Sequence, residues 1–163
     1  QAVAQKAHFG FGMEVSFYDP YPPSDEIIKK FSAKKIDTLE DVLKDSDYVT
    51  LHCPGGGDNT NLMNKERFAL MKKSAFLINT ARGDVVDENA LVQALKDKVI
   101  AGAGLDVYAK EPIVTEELLN MQNVVAIPHL GSATTETRVA MGLRSLENVE
   151  AFFNGKEPGD RVA

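Results

Sequence analysis

Several polar residues in this sequence stand at or just beyond the ends of short apolar runs, and their types can do chemistry. Arg82 follows "AFLINTA" and precedes Gly83. A guanidinium there offers a planar fork to a carboxylate and a further donor to a neighbouring carbonyl. The plainer alternative is a surface pair with a carboxylate such as Asp84. His129 follows "NVVAIP" directly and leads into a turn of small residues. An imidazole at such a place either hydrogen-bonds structurally or acts as an acid near neutral pH. Asp106 ends "IAGAGL", and Glu111 stands before Pro112 in the loop beyond it. Glu111 is either a catalytic carboxylate or a solvated loop residue. Asp19 closes "EVSFY" and opens Asp19-Pro20. Its carboxylate can accept from the paired hydroxyls of a sugar, or it can start the turn ahead of Tyr21-Pro22-Pro23. His52, in Leu-His-Cys-Pro, reads as a strand end packed against a ligand rather than as an acid. His8, in the opening stretch, reads as a surface residue.

These positions need a scaffold that gathers strand ends. β-rich runs occur at residues 14–18, 48–51, 75–79, 100–105 and 124–127. Several are almost continuously apolar, which suits strands buried on both faces. Helical patterns lie between them. Residues 1–7 read as a helix that stops near Gly10–Gly12 and has no start signal ahead of it. Ser24 can cap 25–33, and Thr38 with Asp41 resembles a capping box ahead of a helix to Asp45. Asn64 can cap 65–71. Asp87 can cap 88–96, with Ala90, Leu91, Ala94 and Leu95 on one face. A short helical turn covers 115–120. A long helix covers 135–154, apolar at Val139, Leu143, Leu146, Val149 and Phe153 and closed by Gly155. Strands alternating with helices predict an α/β fold, a doubly wound parallel sheet. Ligands of such sheets bind beyond the carboxyl ends of the strands, where the residues above stand. An acid ending the second strand of a dinucleotide-binding sheet accepts from the adenine ribose and repels a 2′-phosphate, favouring NAD over NADP. That acid follows a G-x-G-x-x-G turn by about 20 residues. Counting back from Asp19 puts the turn just before Gln1.

Composition narrows the partners. The chain has 163 residues and a net charge of -6, which gives nucleic acid or an anionic membrane little electrostatic attraction. No apolar run approaches the ~20 residues that span a bilayer. The single cysteine, Cys53, leaves no internal disulfide and fits a reducing, cytoplasmic compartment. No metal-ligand spacing stands out.

Five blocks, "FGMEVSFYDP", "LHCP", "INTARGDVVDENAL", "AGAGLDVYAKEP" and "PHLGSATTETR", stand in the order and approximate spacing of one family. The chain resembles the NAD-binding domain of the D-isomer-specific 2-hydroxyacid dehydrogenases over essentially its whole length. The family has two Rossmann-like domains with the active site in the cleft between them. The resemblance implies a catalytic trio of Arg82, Glu111 and His129. Arg82 would bind the carboxylate of a 2-oxo acid and polarise its keto oxygen. His129 would protonate that oxygen while NADH delivers hydride to the carbon. Glu111 would hydrogen-bond His129 and keep it protonated. Asp19 would bind the adenine ribose, and Asp106 would sit near the nicotinamide carboxamide. Cys53, Pro54, Thr80, Ala81 and Gly131 match cofactor-lining positions, shared with Arg82 and His129. The helix at 1–7 would hold the cofactor pyrophosphate at its N-terminus.

Within the family, "HCPGGGDN" and "PHLGSATTETR" look most like the glyoxylate/hydroxypyruvate reductase branch. Glu111 argues against formate dehydrogenases, which place Gln there. Phosphoglycerate and D-lactate dehydrogenases remain alternatives, as does an NAD-sensing corepressor of the same fold. The resemblance also implies a homodimer. Residues 1–154 would form a partial dinucleotide-binding domain, with a tail at 155–163. The substrate domain, the first strand and the glycine-rich turn would be missing. The expectation is a segment of a chain of about 300 residues.

Overall fold

A computed structural model describes residues 1–162. Ala163, the last residue of the expected tail, lies outside the described residues. The chain divides into two units, residues 1–126 and 127–163.

In the first unit β3 (Tyr48–Leu51), β4 (Phe76–Asn79), β5 (Gly102–Leu105) and β6 (Val124–Ala126) form one parallel sheet in the order β3-β4-β5-β6. β1 (Ser16–Phe17) and β2 (Lys34–Lys35) form a separate parallel pair. This is the α/β class expected. Among the described residues β1 pairs with β2 and β3 with β4, and the two sheets are not joined to each other. β1 is shorter than the run at 14–18. β2 was not expected at all. It is a Lys-Lys dipeptide drawn into pairing by two backbone bonds, from the Lys34 N–H to the Val15 carbonyl and from the Ile36 N–H to the Phe17 carbonyl.

The register of the larger sheet explains its core. Val49, Leu77 and Ala103 lie side by side, as do Leu51, Asn79 and Leu105. All six are buried. The alternate rows, Tyr48-Phe76-Gly102 and Thr50-Ile78-Gly104, project from the other face, as a two-residue period requires. On that face Tyr48 stacks on Phe76 with centroids 5.5 Å apart, and Tyr48 stays 55% exposed. β3 and β4 therefore alternate instead of being buried on both faces, because only one of their faces meets the core.

The connecting helices supply that core. α3 (Leu39–Asp45) contributes Leu43, α4 (Lys65–Phe68) Phe68, α5 (Glu88–Lys96) Leu91 and Leu95, and α6 (Glu116–Leu119) Leu118. Burying each such side chain stabilises the fold by about 2 kcal/mol. The caps at Thr38, Asn64 and Asp87 each accept the backbone N–H three residues on. Ser24 precedes α2 (Asp25–Lys30) but makes no side-chain cap bond. α2 and α4 stop short of the expected 33 and 71. α1 (Ala2–Gln5) continues as a π-helical turn over Lys6–Gly10. It ends at Gly12, whose φ of +63° a side chain would resist.

The second unit carries the 127–134 loop and α7 (Thr135–Phe153), capped by the Thr134 hydroxyl. No residue of α7 is buried, and its apolar row Val139, Leu143, Leu146, Val149 and Phe153 is exposed. Arg144 pairs with Asp160 and Glu147, tying the tail to the helix. Among the described residues no helix is long and apolar enough to cross a membrane.

Candidate active site

The exit of β4 is built around one buried amide. Asn79 is 1% exposed. Its Nδ2 donates to the Arg82 carbonyl at 2.9 Å, and its Oδ1 accepts the Ala81 N–H at 3.1 Å. Its backbone carbonyl accepts the Asp106 N–H at 2.9 Å, so the exits of β4 and β5 are joined at the same residue. The turn Thr80-Ala81-Arg82 is thereby braced, and Arg82 is presented to solvent. Arg82 Nη1 donates to the Ala81 carbonyl at 2.7 Å. Asp84, the surface partner considered for Arg82, accepts the Gly56 N–H at 2.7 Å.

That bond draws the loop after β3 toward Arg82. A Cβ at Gly55 would stand 2.5 Å from Asp84 Oδ1 and 3.1 Å from Arg82 Cβ. An open depression of about 360 Å³ lies here, lined by His52, Cys53, Pro54, Gly55, Thr80, Ala81 and Arg82. Five of the residues expected around a cofactor, Cys53, Pro54, Thr80, Ala81 and Arg82, thus share one surface. A larger hollow of about 510 Å³ lies at the opposite, amino-terminal edge of the strands, beside Lys73, Ile100 and Asn123, and contains no expected site residue.

Burial pushes the Cys53 thiol up and the His52 imidazole down. The thiol is therefore a poor nucleophile and His52 a poor acid at neutral pH. His52 Nε2 lies 3.0 Å from Thr50 Oγ1. Both residues suit the wall of a site better than its chemistry.

Asp106 is buried at the end of β5. Beyond it, Gly83 meets the chain so closely that a Cβ would stand 1.9 Å from the Tyr108 carbonyl carbon. The Arg82 turn therefore lies directly against the segment that leads to Glu111. The Tyr108 hydroxyl donates to the Leu105 carbonyl, and the Tyr108 N–H donates to Glu111 Oε1 at 3.0 Å. Glu111 is exposed, on a turn closed by the Ile113 N–H donating to the Lys110 carbonyl at 2.9 Å. The Glu111–Pro112 peptide is cis.

Asp19 is exposed after β1, in the two-stranded pair. Its Oδ1 accepts the Tyr21 N–H at 2.8 Å, so it does form the turn that the Asp-Pro sequence suggested. His129 and Gly131 belong to the second unit, in the loop ahead of α7. His129 is exposed and has φ of +53°, a left-handed backbone that residues other than glycine adopt at a cost. Residues held this way cluster at functional sites.

Asn79 and Gly83 organise the site without having been singled out, and Asp84, weighed only as a surface partner of Arg82, instead holds the loop after β3. The polar last residue of an apolar run is the one signal that could have marked Asn79. Among the described residues no group of three His, Cys, Asp or Glu could hold a metal ion. The depression suits one end of a dinucleotide rather than the whole of it: its walls are mostly small side chains and backbone, with Arg82 at the rim.

The family model described as D-isomer specific 2-hydroxyacid dehydrogenase, NAD binding domain, matches residues 1–131. Glyoxylate/hydroxypyruvate reductase B of Erwinia tasmaniensis is 46% identical over 156 residues, which is 95% of this chain and 48% of that protein. Glyoxylate reductase of Thermococcus kodakarensis is 47% identical over 158 residues, 97% of this chain and 46% of that protein. The crystal structure of an NADPH-dependent glyoxylate/hydroxypyruvate reductase from Sinorhizobium meliloti, in complex with NADP and malonate, superposes with a TM-score of 0.91. That match has 33% identity and covers 99% of this chain and 49% of that one. The chain spans about half the length of the curated relatives it matches.

Proposed function

The chain belongs to the D-isomer-specific 2-hydroxyacid dehydrogenase family, matching its NAD-binding domain, and on that premise we propose that the full-length protein is an oxidoreductase that reduces a small 2-oxo acid to the D-2-hydroxy acid. The substrate class is that of glyoxylate or hydroxypyruvate. The observation that carries this reading is the exposed Arg82, braced by buried Asn79 at the rim of the depression. An exposed guanidinium on a braced backbone turn, beside a small-walled depression, suits a substrate that carries a carboxylate next to its reacting carbonyl. The names of the two reductases agree with that choice of acid.

Asp19 would hold the adenine ribose, and its charge disfavours a 2′-phosphate, so the cofactor of this chain is NAD rather than NADP. Cys53, Pro54, Thr80, Ala81, Asp106 and Gly131 would line the remainder of the cofactor site, with Arg82 and His129 at its reacting end. NADH, when bound, supplies hydride to the substrate carbon. Arg82 binds the substrate carboxylate and polarises the keto oxygen. The His129 imidazolium donates the proton that this oxygen needs as it becomes a hydroxyl, and in the reverse direction the neutral imidazole takes it back. Glu111 supports the protonated imidazole. We extend the reading to a cytoplasmic homodimer, which sedimentation of the full-length protein would test.

Steady-state NADH oxidation with glyoxylate and with hydroxypyruvate tests the roles. Arg82→Ala and His129→Ala should each lower kcat/KM by about 100-fold or more. Activity near that of the parent in both variants would remove the assignment.

A further inference from the structure

Glu88 opens α5, far in sequence from the loop that carries Glu111, yet both of its carboxylate oxygens are committed to that loop. Oε1 accepts the Ala109 N–H at 2.7 Å, and Oε2 accepts the Thr115 hydroxyl at 2.6 Å. Ala109 and Thr115 bracket the turn 110–113, on which Glu111 stands. A single carboxylate therefore fastens both ends of a seven-residue segment, 109–115, from across the fold. Thr115 gives up something to do this. It occupies the N-cap position of α6, but its side chain makes no cap bond there. Its hydroxyl proton goes to Glu88.

The bland role for a glutamate in the first turn of a helix is to complement the helix dipole. That role needs neither oxygen to bond to another segment. The two short contacts, with sequence separations of 21 and 27, assign Glu88 to the loop instead. Glu111 is fixed from inside as well, since its Oε1 accepts the Tyr108 N–H. The segment thus has an internal contact at Glu111 and an external clamp at Glu88.

We propose that Glu88 is a positioning residue of the reaction, which holds the 109–115 loop so that Glu111 stands where it can act. This rests on the catalytic reading of Glu111 given above. Glu88 acts through hydrogen bonds and not through its charge. A glutamine at 88 can accept the Ala109 N–H with its oxygen and donate to the Thr115 hydroxyl with its nitrogen.

The test uses the full-length protein and four variants, Glu88→Ala, Glu88→Gln, Glu111→Gln and the double variant Glu88→Ala/Glu111→Gln. Glu88→Ala should lower kcat about tenfold through misplacement of Glu111, with KM for NADH unchanged. Glu88→Gln should keep most of kcat. In the Glu111→Gln background, Glu88→Ala should cause no further loss, because residues that act as a unit are not additive. Independently of turnover, amide hydrogen exchange in the peptide spanning 108–115 should accelerate in Glu88→Ala and not in Glu88→Gln. Should Glu88→Ala fail to fold, Thr115→Val against Thr115→Ser repeats the comparison, the serine keeping the hydroxyl. Unchanged kcat in Glu88→Ala, or losses that multiply in the double variant, would overturn the proposal while Glu111→Gln still reports a catalytic Glu111. Full kcat in Glu111→Gln would overturn the catalytic reading and this proposal with it.

Discussion

Gly83 has no freedom to carry a side chain, because the Tyr108 carbonyl carbon lies 1.9 Å from where its Cβ would be. Backbone, not a flexible side chain, is in the way. Gly83→Ala should therefore destabilise the protein by about 3 kcal/mol or more, beyond the ordinary range for overpacking. Urea unfolding followed by circular dichroism measures this. A loss below about 1 kcal/mol would mean that the two loops can separate easily. Asn79→Ala removes two hydrogen bonds from a buried site and should cost about 1–3 kcal/mol in the same assay. The positions of Arg82, Asp106 and His129 just beyond β4, β5 and β6 could be read from sequence because strand ends announce themselves by a change from apolar to polar. Asn79, Gly83 and Glu88 could not be ranked that way. Their importance depends on partners such as Asp106, Tyr108 and Thr115, and no local pattern specifies which distant segment a loop will meet.

The strand exits are the elements that matter, and burial of His52 in the loop after β3 should make stability depend on pH. Burial holds the His52 imidazole below its ordinary value. A histidine with a lowered folded value binds fewer protons in the folded state than in the unfolded one. The stability it leaves intact is fully present above the unfolded value of about 6.5 and is lost as pH falls through that value toward the lower folded one. Urea midpoints should therefore drop between about pH 7.5 and about pH 5.5, and His52→Asn should flatten part of that drop. An unchanged slope in His52→Asn would show that the loop leaves the ring as solvated as in the unfolded chain. Elements with strong signals were readable: the cap and apolar face of α5, the strands β3 to β6, and the length of α7. β2 was not, because two lysines carry no strand signal and are placed only by the backbone of β1. The alternation of β3 and β4 was missed because Tyr48 and Phe76 are apolar yet face outward.

At the scale of the whole molecule, the chain matches about half of each relative. Its two parallel sheets are unjoined between β1 and β3, and α7 keeps an exposed apolar row. The fold class and the family were readable because five separate blocks fall in one order. The choice of acid was not, since the roles proposed for Arg82 and His129 concern a carboxylate and a carbonyl common to every 2-oxo acid. The most direct measurement is therefore turnover by the full-length protein with NADH and a panel of 2-oxo acids, with the configuration of the product determined. Saturable NADH oxidation with glyoxylate or hydroxypyruvate, giving the D-hydroxy acid from hydroxypyruvate, is the predicted result. NADH binding without turnover of any 2-oxo acid, or formation of the L-hydroxy acid, would contradict it.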